Sequence, residues 1–260
     1  MIARLTTTIA AVAIAAGAWS FALSTPASAA GEAIDLPQHD WSFSGPFGTY
    51  DRGALQRGFQ VYKNVCAGCH ALSYVAYRNL EDLGYNEDEV KAIAAEASVT
   101  DGPNDDGEMF ERPGKPSDRF ASPFPNEQAA RAANGGAYPP DLSLIVKARP
   151  DGANYVRALL IGYTEPPADF NLMAGMNYNA YFPGHQIAMA KPLYGDDVTY
   201  EDGTPSTIEQ EAADVAAFLA WASEPEMDER KRAGVMTLLF LLVFTGLLYA
   251  TKRKIWADVH

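Results

Sequence analysis

The chain contains only two cysteines, and both belong to one five-residue segment, Cys-Ala-Gly-Cys-His, at residues 66 to 70. This pattern is the attachment motif of a c-type haem, in which both thiols form thioethers and the histidine binds iron. At a helix or helix end, residues three and four apart share one face, so Cys66, Cys69 and His70 can reach one macrocycle together. The motif therefore predicts a chain that folds around one covalently attached haem.

Apolar residues recur at three- and four-residue spacing before this motif: Leu55, Phe59, Tyr62 and Val65. The spacing predicts an amphipathic helix that packs against the macrocycle. A thioredoxin-like pair would instead follow a strand and open a helix, whereas this pair closes a helical pattern. A structural zinc site would need four protein ligands, and the three remaining histidines are scattered along the chain. Haem attachment is therefore the preferred interpretation.

The second axial ligand of the iron is a separate question, because the chain has seven methionines. In small haem-c folds the thioether usually comes from an irregular loop shortly before the last helix. Met189 lies in such a segment, FPGHQIAMAKPLYG, and Ser206 with Glu209 predicts the start of a helix soon after it through a capping box. We expect Met189 to be the ligand, and Met176 and His185 are the alternatives.

The C-terminal part contains an uncharged apolar run from residue 233 to residue 250. A helix of that length covers most of a hydrocarbon core about 30 Å thick, at about 1.5 Å per residue. A core helix of a soluble domain would show a polar face, whereas this run shows none. Basic clusters lie on both sides of it. The sequence predicts a transmembrane anchor at residues 229–251, followed by a cytoplasmic tail at residues 252–260.

The N-terminus predicts export. It has Arg4 as its one basic residue, an apolar alanine-rich run, and a small-residue segment that ends near Ala30, which are the parts of a secretory signal peptide at residues 1–30. An uncleaved N-terminal anchor is the alternative, although Ser20 and Pro26 interrupt the run short of the roughly 20 residues of a span. We expect residues 31–228 to form an exported domain, periplasmic in a bacterium, on the inner membrane.

The formal net charge is −13, and both ends of the chain are basic, so the acidic excess falls on the predicted exported domain. Such a domain repels nucleic acid and attracts basic partners. Solubility alone is the simpler explanation of the same charge. Nucleic acid is therefore not an expected partner.

The chain resembles the cytochrome c1 family, the haem-c subunit of the ubiquinol–cytochrome c oxidoreductase (cytochrome bc1) complex, in five segments that occur in order: RGFQVYKNVCAGCH, YPPDLSLIVKAR, IGYTEPP, YFPGHQIAMAKPLY and EDGTPSTIEQEAADVAAFLAWASEPEMDERKRAG. This resemblance implies a mostly α-helical, cytochrome c-like haem domain with long irregular loops plus one C-terminal transmembrane helix. It implies the following haem contacts: thioethers at Cys66 and Cys69, axial ligands at His70 and Met189, propionate partners at Arg149 and Tyr155, and a stiff loop at Pro139 and Pro140.

The resemblance also implies a function and partners. The chain would take one electron from a Rieske iron–sulfur protein and pass it to a soluble or anchored cytochrome c. Cytochrome b and membrane lipid would be its neighbours in a dimeric multi-subunit complex. The isolated chain would perform no bond chemistry, so it would be an enzyme only as a subunit of the oxidoreductase.

Two other classes of protein share parts of this pattern. A tethered shuttle or oxidase-subunit cytochrome would keep the haem site but lack the family's C-terminal segments. A haem sensor or peroxidase would have an open iron and would bind carbon monoxide when reduced.

Residues 98–126 are rich in Gly, Pro and Asp, which predicts a long surface excursion without regular structure. Its acids are candidate docking charges for a basic cytochrome c: Asp101, Asp105, Asp106, Glu108 and Glu111. Residues 87–89 are a second acidic candidate: Glu87, Asp88 and Glu89. Asn86 and Glu89 equally predict a helix start there.

Overall fold

The computed structural model describes residues 34–258, so the predicted signal peptide and the last two residues lie outside the described residues. Two short helical segments, a π-helical turn at Tyr62–Cys66 and a 3₁₀ helix at Tyr77–Leu83, accompany the α-helices. The α-helices are α1 (Arg52–Val61), α2 (Glu87–Ala95), α3 (Glu127–Ala133), α4 (Gly152–Ile161), α5 (Ile208–Ser223) and α6 (Met227–Ile255). The strands form two antiparallel pairs, β1 (Ser98–Asp101) with β2 (Phe110–Pro113) and β3 (Asn177–Tyr178) with β4 (Gln186–Ile187). This architecture confirms the predicted mostly α-helical class.

The core forms where α1 packs against α5. A Cβ atom built on Gly58 of α1 would lie 2.0 Å from the backbone oxygen of Asp214, so this approach of the two helices requires glycine. Beside it, the Arg57 guanidinium donates to both carboxylate oxygens of buried Asp214, at 2.9 and 3.1 Å. Large buried side chains from both helices surround the contact: Leu55, Phe59, Phe218 and Trp221. The apolar spacing before the haem motif thus marks the buried face of an amphipathic helix, as expected. This face packs on α5, and its packing against a macrocycle stays a prediction.

The start of α5 differs from the sequence prediction by one residue. Thr207 is the N-cap, and its side-chain oxygen accepts a hydrogen bond from the Gln210 amide at 3.2 Å. The Ser206 hydroxyl instead donates to the carboxylate of buried Glu211. Because Ser206 is engaged by Glu211, the neighbouring hydroxyl takes the capping position. The expected capping box of Ser206 and Glu209 is therefore wrong.

The excursion at residues 98–126 contains regular structure, which corrects the prediction for its first half. Strands β1 and β2 form a hairpin there. Arg112 of β2 forms ion pairs with Asp101 of β1 and, at 2.6 Å, with Asp118 beyond the hairpin. Both strands are largely exposed. Charge pairing rather than apolar burial therefore connects this hairpin to the chain that follows.

The chain beyond the hairpin joins the core next to the haem motif. Phe120 is buried and stacks on Tyr77, with ring centroids 4.5 Å apart. Two backbone hydrogen bonds fix the crossing, from the Phe120 amide to the Val75 oxygen and from the Tyr77 amide to the Asp118 oxygen, both at 3.0 Å. This segment supports the chain that leaves the haem motif.

Helix α6 has 29 residues and is long and apolar enough to cross a membrane. Its most apolar window has no residue buried within the structure. The helix extends beyond the predicted residues 229–251 at both ends. This agrees with a C-terminal transmembrane helix, since an apolar surface of this length needs an apolar surrounding.

Candidate functional site

The haem motif lies in a tight turn at the end of α1. The Ala67 amide donates to the Tyr62 oxygen at 2.8 Å, which widens the last helical turn into a π-helical one. The amides of Cys69 and His70 both donate to the Cys66 oxygen, at 3.1 and 2.9 Å. Burial, followed by the neighbouring Cys69, raises the pKa of the Cys66 thiol to about 12.

The His70 ring is oriented by a backbone carbonyl. Its Nδ1 lies 2.8 Å from the oxygen of Pro140, a distance at which Nδ1–H donates and Nε2 keeps its lone pair. Burial lowers the pKa of His70, although the Pro140 carbonyl and Asp141 act in the opposite direction. The ring therefore stays neutral, which is the form that binds iron.

The proline loop is itself fixed to the chain that follows the motif. The Asp141 carboxylate accepts hydrogen bonds from the amides of Ser73 and Ser143, at 3.0 and 2.7 Å. The Leu142 amide donates to the Ala71 oxygen at 2.9 Å. Burial opposes ionisation of Asp141, yet the bonds from Ser143 and Ser73 hold its pKa below the ordinary value. The structure thus brings predicted Pro139 and Pro140 to His70, and it adds Asp141 as the residue that anchors their loop.

Met189 lies, partly buried, in the segment between β4 and α5. Its backbone oxygen accepts hydrogen bonds from the Tyr163 hydroxyl at 3.1 Å and the Asn177 side chain at 3.3 Å. Fully buried Asn179 donates to the Leu159 oxygen at 2.8 Å and accepts from the Tyr181 amide at 3.0 Å. Tyr163, just after α4, thus holds the segment that carries Met189, and Asn179 holds the adjoining turn between β3 and β4 to α4.

The two alternatives for the second axial ligand, His185 and Met176, make contacts with other parts of the chain. His185 has a left-handed backbone with φ of 58°, and its ring stacks on Tyr178 with centroids 5.6 Å apart. Its Nδ1 lies 3.2 Å from the Asn179 oxygen. Met176 is partly buried and closes a turn by donating its amide to the Met173 oxygen at 3.1 Å. Packing against Tyr178 and Asn179 already explains the place of His185.

Arg149 and Tyr155 lie together at the start of α4. Tyr155 is buried and Arg149 is exposed. Burial raises the pKa of the Tyr155 hydroxyl, and the charge and hydrogen bond of the Arg149 guanidinium act in the opposite direction. A guanidinium beside a phenol is a donor pair that suits a carboxylate such as a haem propionate.

These residues fit a covalently attached haem. Two thiols and a neutral imidazole with a free Nε2 come from one turn of the chain. In the part of the chain that the structure describes, no group of three or more His, Cys, Asp or Glu side chains is placed to hold a metal ion by itself. One imidazole beside two thiols is the donor set that a covalently attached haem would use.

The model of the Cytochrome C1 family matches residues 41–259. The chain belongs to the cytochrome C1 family. Members of the cytochrome C1 family are the haem electron-transfer subunit of the bc1 complex.

Curated relatives of this cytochrome C1 family chain come from bacteria and from mitochondria. The chain is 49% identical to "Cytochrome c1" of Rhodospirillum rubrum, over 97% of its own length and 99% of the relative. It is 54% identical to "Cytochrome c1-2, heme protein, mitochondrial" of Solanum tuberosum, over 92% of each chain. It is 51% identical to "Cytochrome b/c1" of Bradyrhizobium diazoefficiens, over 96% of its own length but 40% of that protein.

The sequence of this cytochrome C1 family chain did not reveal three residues that position the site. Asp141 and Asn179 act on backbone groups, and Tyr163 reaches Met189 through its hydroxyl. Asp141 had a usable signal, since an Asp two residues before a Ser often forms a local side-chain turn. Asn179 carries no such signal, because its partner on α4 is distant in sequence.

Proposed function

We propose that this chain transfers single electrons through one haem c that is attached at Cys66 and Cys69 and ligated by His70 and Met189. The observation that carries the proposal is the contact of 2.8 Å between His70 Nδ1 and the Pro140 oxygen. This hydrogen bond fixes the imidazole tautomer and leaves Nε2 as the ligand. When bound, the haem supplies a one-electron change at iron, and the chain supplies its attachment, its axial ligands and its surroundings.

The two axial side chains set what the site can do. Tyr163 and Asn177 hold the Met189 backbone, which limits movement of the segment that carries the proposed thioether ligand. A His/Met pair fills both axial positions, which raises the reduction potential and excludes exogenous ligands. Arg149 with Tyr155 offers donors for a propionate, and this lowers the cost of keeping that carboxylate ionised in a partly buried site.

The proposed route takes an electron from a Rieske iron–sulfur protein and gives it to a soluble or anchored cytochrome c. Cytochrome b is the proposed neighbour in the membrane, in a dimeric multi-subunit complex. The name "Cytochrome b/c1" of the Bradyrhizobium relative, which is much longer than this chain, supports an association of these two components. We place the haem domain in the periplasm, the anchor in the inner membrane, and the tail after it in the cytoplasm.

The acids of the hairpin differ in their availability for docking a basic cytochrome c. Glu111 accepts hydrogen bonds from the Ser98 and Thr100 hydroxyls, and Asp101 pairs with Arg112. The acids in the loop between β1 and β2 are all exposed and form no ion pair within the described residues: Asp105, Asp106 and Glu108.

In the second acidic patch, Glu87 and Asp88 pair with Lys91, and Glu89 accepts from the Asn86 amide in the capping box. Intramolecular partners thus occupy the second patch. We therefore propose the hairpin loop as the docking patch.

The docking proposal is tested by replacing the three hairpin-loop acids with Lys and measuring cytochrome c reduction over a range of salt concentrations. We expect a slower rate at low salt and a flatter salt dependence, because exposed charges act on association and are screened by salt. The matched control reverses all three acids of the second patch, Glu87, Asp88 and Glu89, which should change the rate less. Equal slowing by both sets would contradict the choice of patch.

The assignment to the complex is tested by extracting the full chain from its membrane in mild detergent and identifying the proteins that copurify with its haem. Recovery of cytochrome b and a Rieske protein is the expected result. Recovery of oxidase subunits, or of this chain alone, would support a tethered shuttle or oxidase cytochrome and contradict the proposed partners.

A further inference from the structure

An exposed aromatic side chain lies at the tip of a closed loop, residues 42–49, which we term the phenylalanine loop. The Thr49 amide donates to the Ser42 oxygen at 3.1 Å and closes the loop. Phe47 is 80% exposed. A Cβ atom on Gly48 would lie 2.1 Å from the Ser44 oxygen, so the tight closure requires glycine. The loop thus holds Phe47 outside the core of the domain.

The phenylalanine loop is fastened to the first turns of α6. Lys231 Nζ donates to the backbone oxygens of Phe43 and Gly48, at 2.6 and 2.9 Å. The Asp228 carboxylate accepts from the Tyr50 amide at 3.3 Å. Because both contacts start on α6, the position of Phe47 is set relative to the helix that crosses the membrane.

A groove of about 440 Å³ lies between the phenylalanine loop and α6. Phe47, Val235 and Met236 are its apolar lining, and Arg232, which is exposed, lines it as well. Lys231 donates its hydrogen bonds to the carbonyls of the phenylalanine loop, whereas Arg232 has no ion pair among residues 34–258. Asp228 and Glu229 also line the groove. The two carboxylates are balanced in charge by Lys231 and Arg232, and Arg232 adjoins the start of the uncharged run, whereas Asp228 is turned to the Tyr50 amide.

We propose that this groove binds one phospholipid, with an acyl chain against Phe47, Val235 and Met236 and the phosphate beside Arg232. The groove is continuous with the membrane span, because the uncharged run of α6 begins at residue 233, directly after Arg232. Phe and other apolar side chains at a membrane surface bury into the boundary between headgroups and acyl chains, and basic side chains near it attract anionic headgroups. An apolar wall beside a free cation therefore matches both parts of a phospholipid.

This inference rests on the part of the proposed function that puts α6 in a membrane, and it does not depend on the haem. The competing occupant is another membrane protein of the complex. A photoreactive residue at position 47 distinguishes the two, because it records its neighbour covalently.

The experiment replaces Phe47 with p-benzoylphenylalanine in the full chain, in its native membrane, and analyses the products of irradiation by mass spectrometry. The same probe at Phe240, 63% exposed within the span, is the positive control, and at Tyr194, 69% exposed on the haem domain, it is the negative control. We expect a phospholipid adduct at positions 47 and 240 and none at 194. A protein adduct at position 47, or no adduct there while position 240 reacts, overturns the lipid site. Absence of lipid adducts at both positions contradicts the membrane span itself.

The phosphate contact is tested in the same chain after reconstitution in vesicles of phosphatidylcholine and phosphatidylglycerol. Arg232→Gln should lower the phosphatidylglycerol retained through detergent extraction by about fivefold, the effect expected of one basic residue at a membrane surface. The matched control is Arg230→Gln, since Arg230 is exposed on the same helix but pairs with Glu224. Equal retention in the two variants would overturn the role of Arg232.

Discussion

The histidine side and the methionine side of the haem site are built in different ways. His70 follows α1 after the π-helical turn and the tight turn of the haem motif, and a loop carbonyl from Pro140 fixes its ring. Met189 comes from a long irregular segment, and side chains such as Tyr163 and Asn177 hold only its backbone. The histidine side therefore gains its rigidity from helix packing, and the methionine side depends on single hydrogen bonds. Substitutions in the core between α1 and α5 should therefore lower the stability of the whole domain. Substitutions around Met189 should affect the methionine side alone.

The largest effect is expected where α1 meets α5. Gly58→Ala puts a Cβ atom 2.0 Å from the Asp214 oxygen, so the helices must separate. We expect a loss of about 1–3 kcal/mol or more in the free energy of unfolding, as for overpacked cores. Denaturant unfolding of the full chain in detergent, followed by circular dichroism, measures this loss.

A matched control is available on the same helix. A Cβ atom on Gly53 would have its nearest contacts at 3.4 and 3.5 Å, which is ordinary packing. Gly53→Ala should therefore be neutral, or stabilising by up to about 1 kcal/mol through helix propensity. Equal losses in Gly58→Ala and Gly53→Ala would show that the close approach to α5 is not what stabilises the histidine side.

An intermediate effect is expected on the methionine side alone. Asn179→Ala leaves the Leu159 oxygen and the Tyr181 amide without their buried partner, at a cost of about 1–3 kcal/mol. Haem attachment should persist, while imidazole displaces the sixth ligand more readily in a spectroscopic titration. Asn177→Ala removes a longer hydrogen bond, at 3.3 Å, and should change the titration less. Loss of haem attachment in Asn179→Ala would show that the two sides are not independent.

The smallest expected effect is a change of stability at acid pH, caused by the ion pair of Asp118 and Arg112 that supports the histidine side. Hydrogen bonds from Arg112 hold the pKa of Asp118 at about 2, below its ordinary value of 3.8. Because the pKa is lower in the folded chain, this stabilisation is full above the ordinary value and is lost as the pH falls through about 2. Asp118→Asn should remove that part of the acid dependence in unfolding experiments between these two pH values. Exposed Asp105→Asn is the control, and an equal change in both variants would contradict the role of the Arg112 pair.

The two sides also differ in what the sequence could predict. The motif and the spacing of Leu55 and Phe59 predicted α1 and the place of His70, because both signals are local. The π-helical turn was not predictable, since the apolar spacing continues through it to Val65 and only a backbone bond reveals the extra residue. The partner of His70 was equally hidden, because the Pro140 carbonyl belongs to the backbone and not to a side-chain pattern.

Other errors have similar causes. Strands β1 and β2 lack apolar alternation, and their side chains pair by charge, so the hairpin resembled irregular chain. The N-cap of α5 moved to Thr207 because Glu211, one turn into the helix, binds Ser206. The proposed sixth ligand, Met189, could be separated from Met176 and His185 only by its place before α5 and by the family resemblance.

The most direct test of the account is a redox titration of Met189→Leu in the full chain, combined with exposure of the reduced haem to carbon monoxide. We expect a lower midpoint potential, within the roughly 0.8 V range that axial ligands control, and new binding of carbon monoxide. Met176→Leu should retain the potential of the unchanged chain and exclude carbon monoxide. An unaltered potential and spectrum in Met189→Leu would contradict the proposed His/Met ligation.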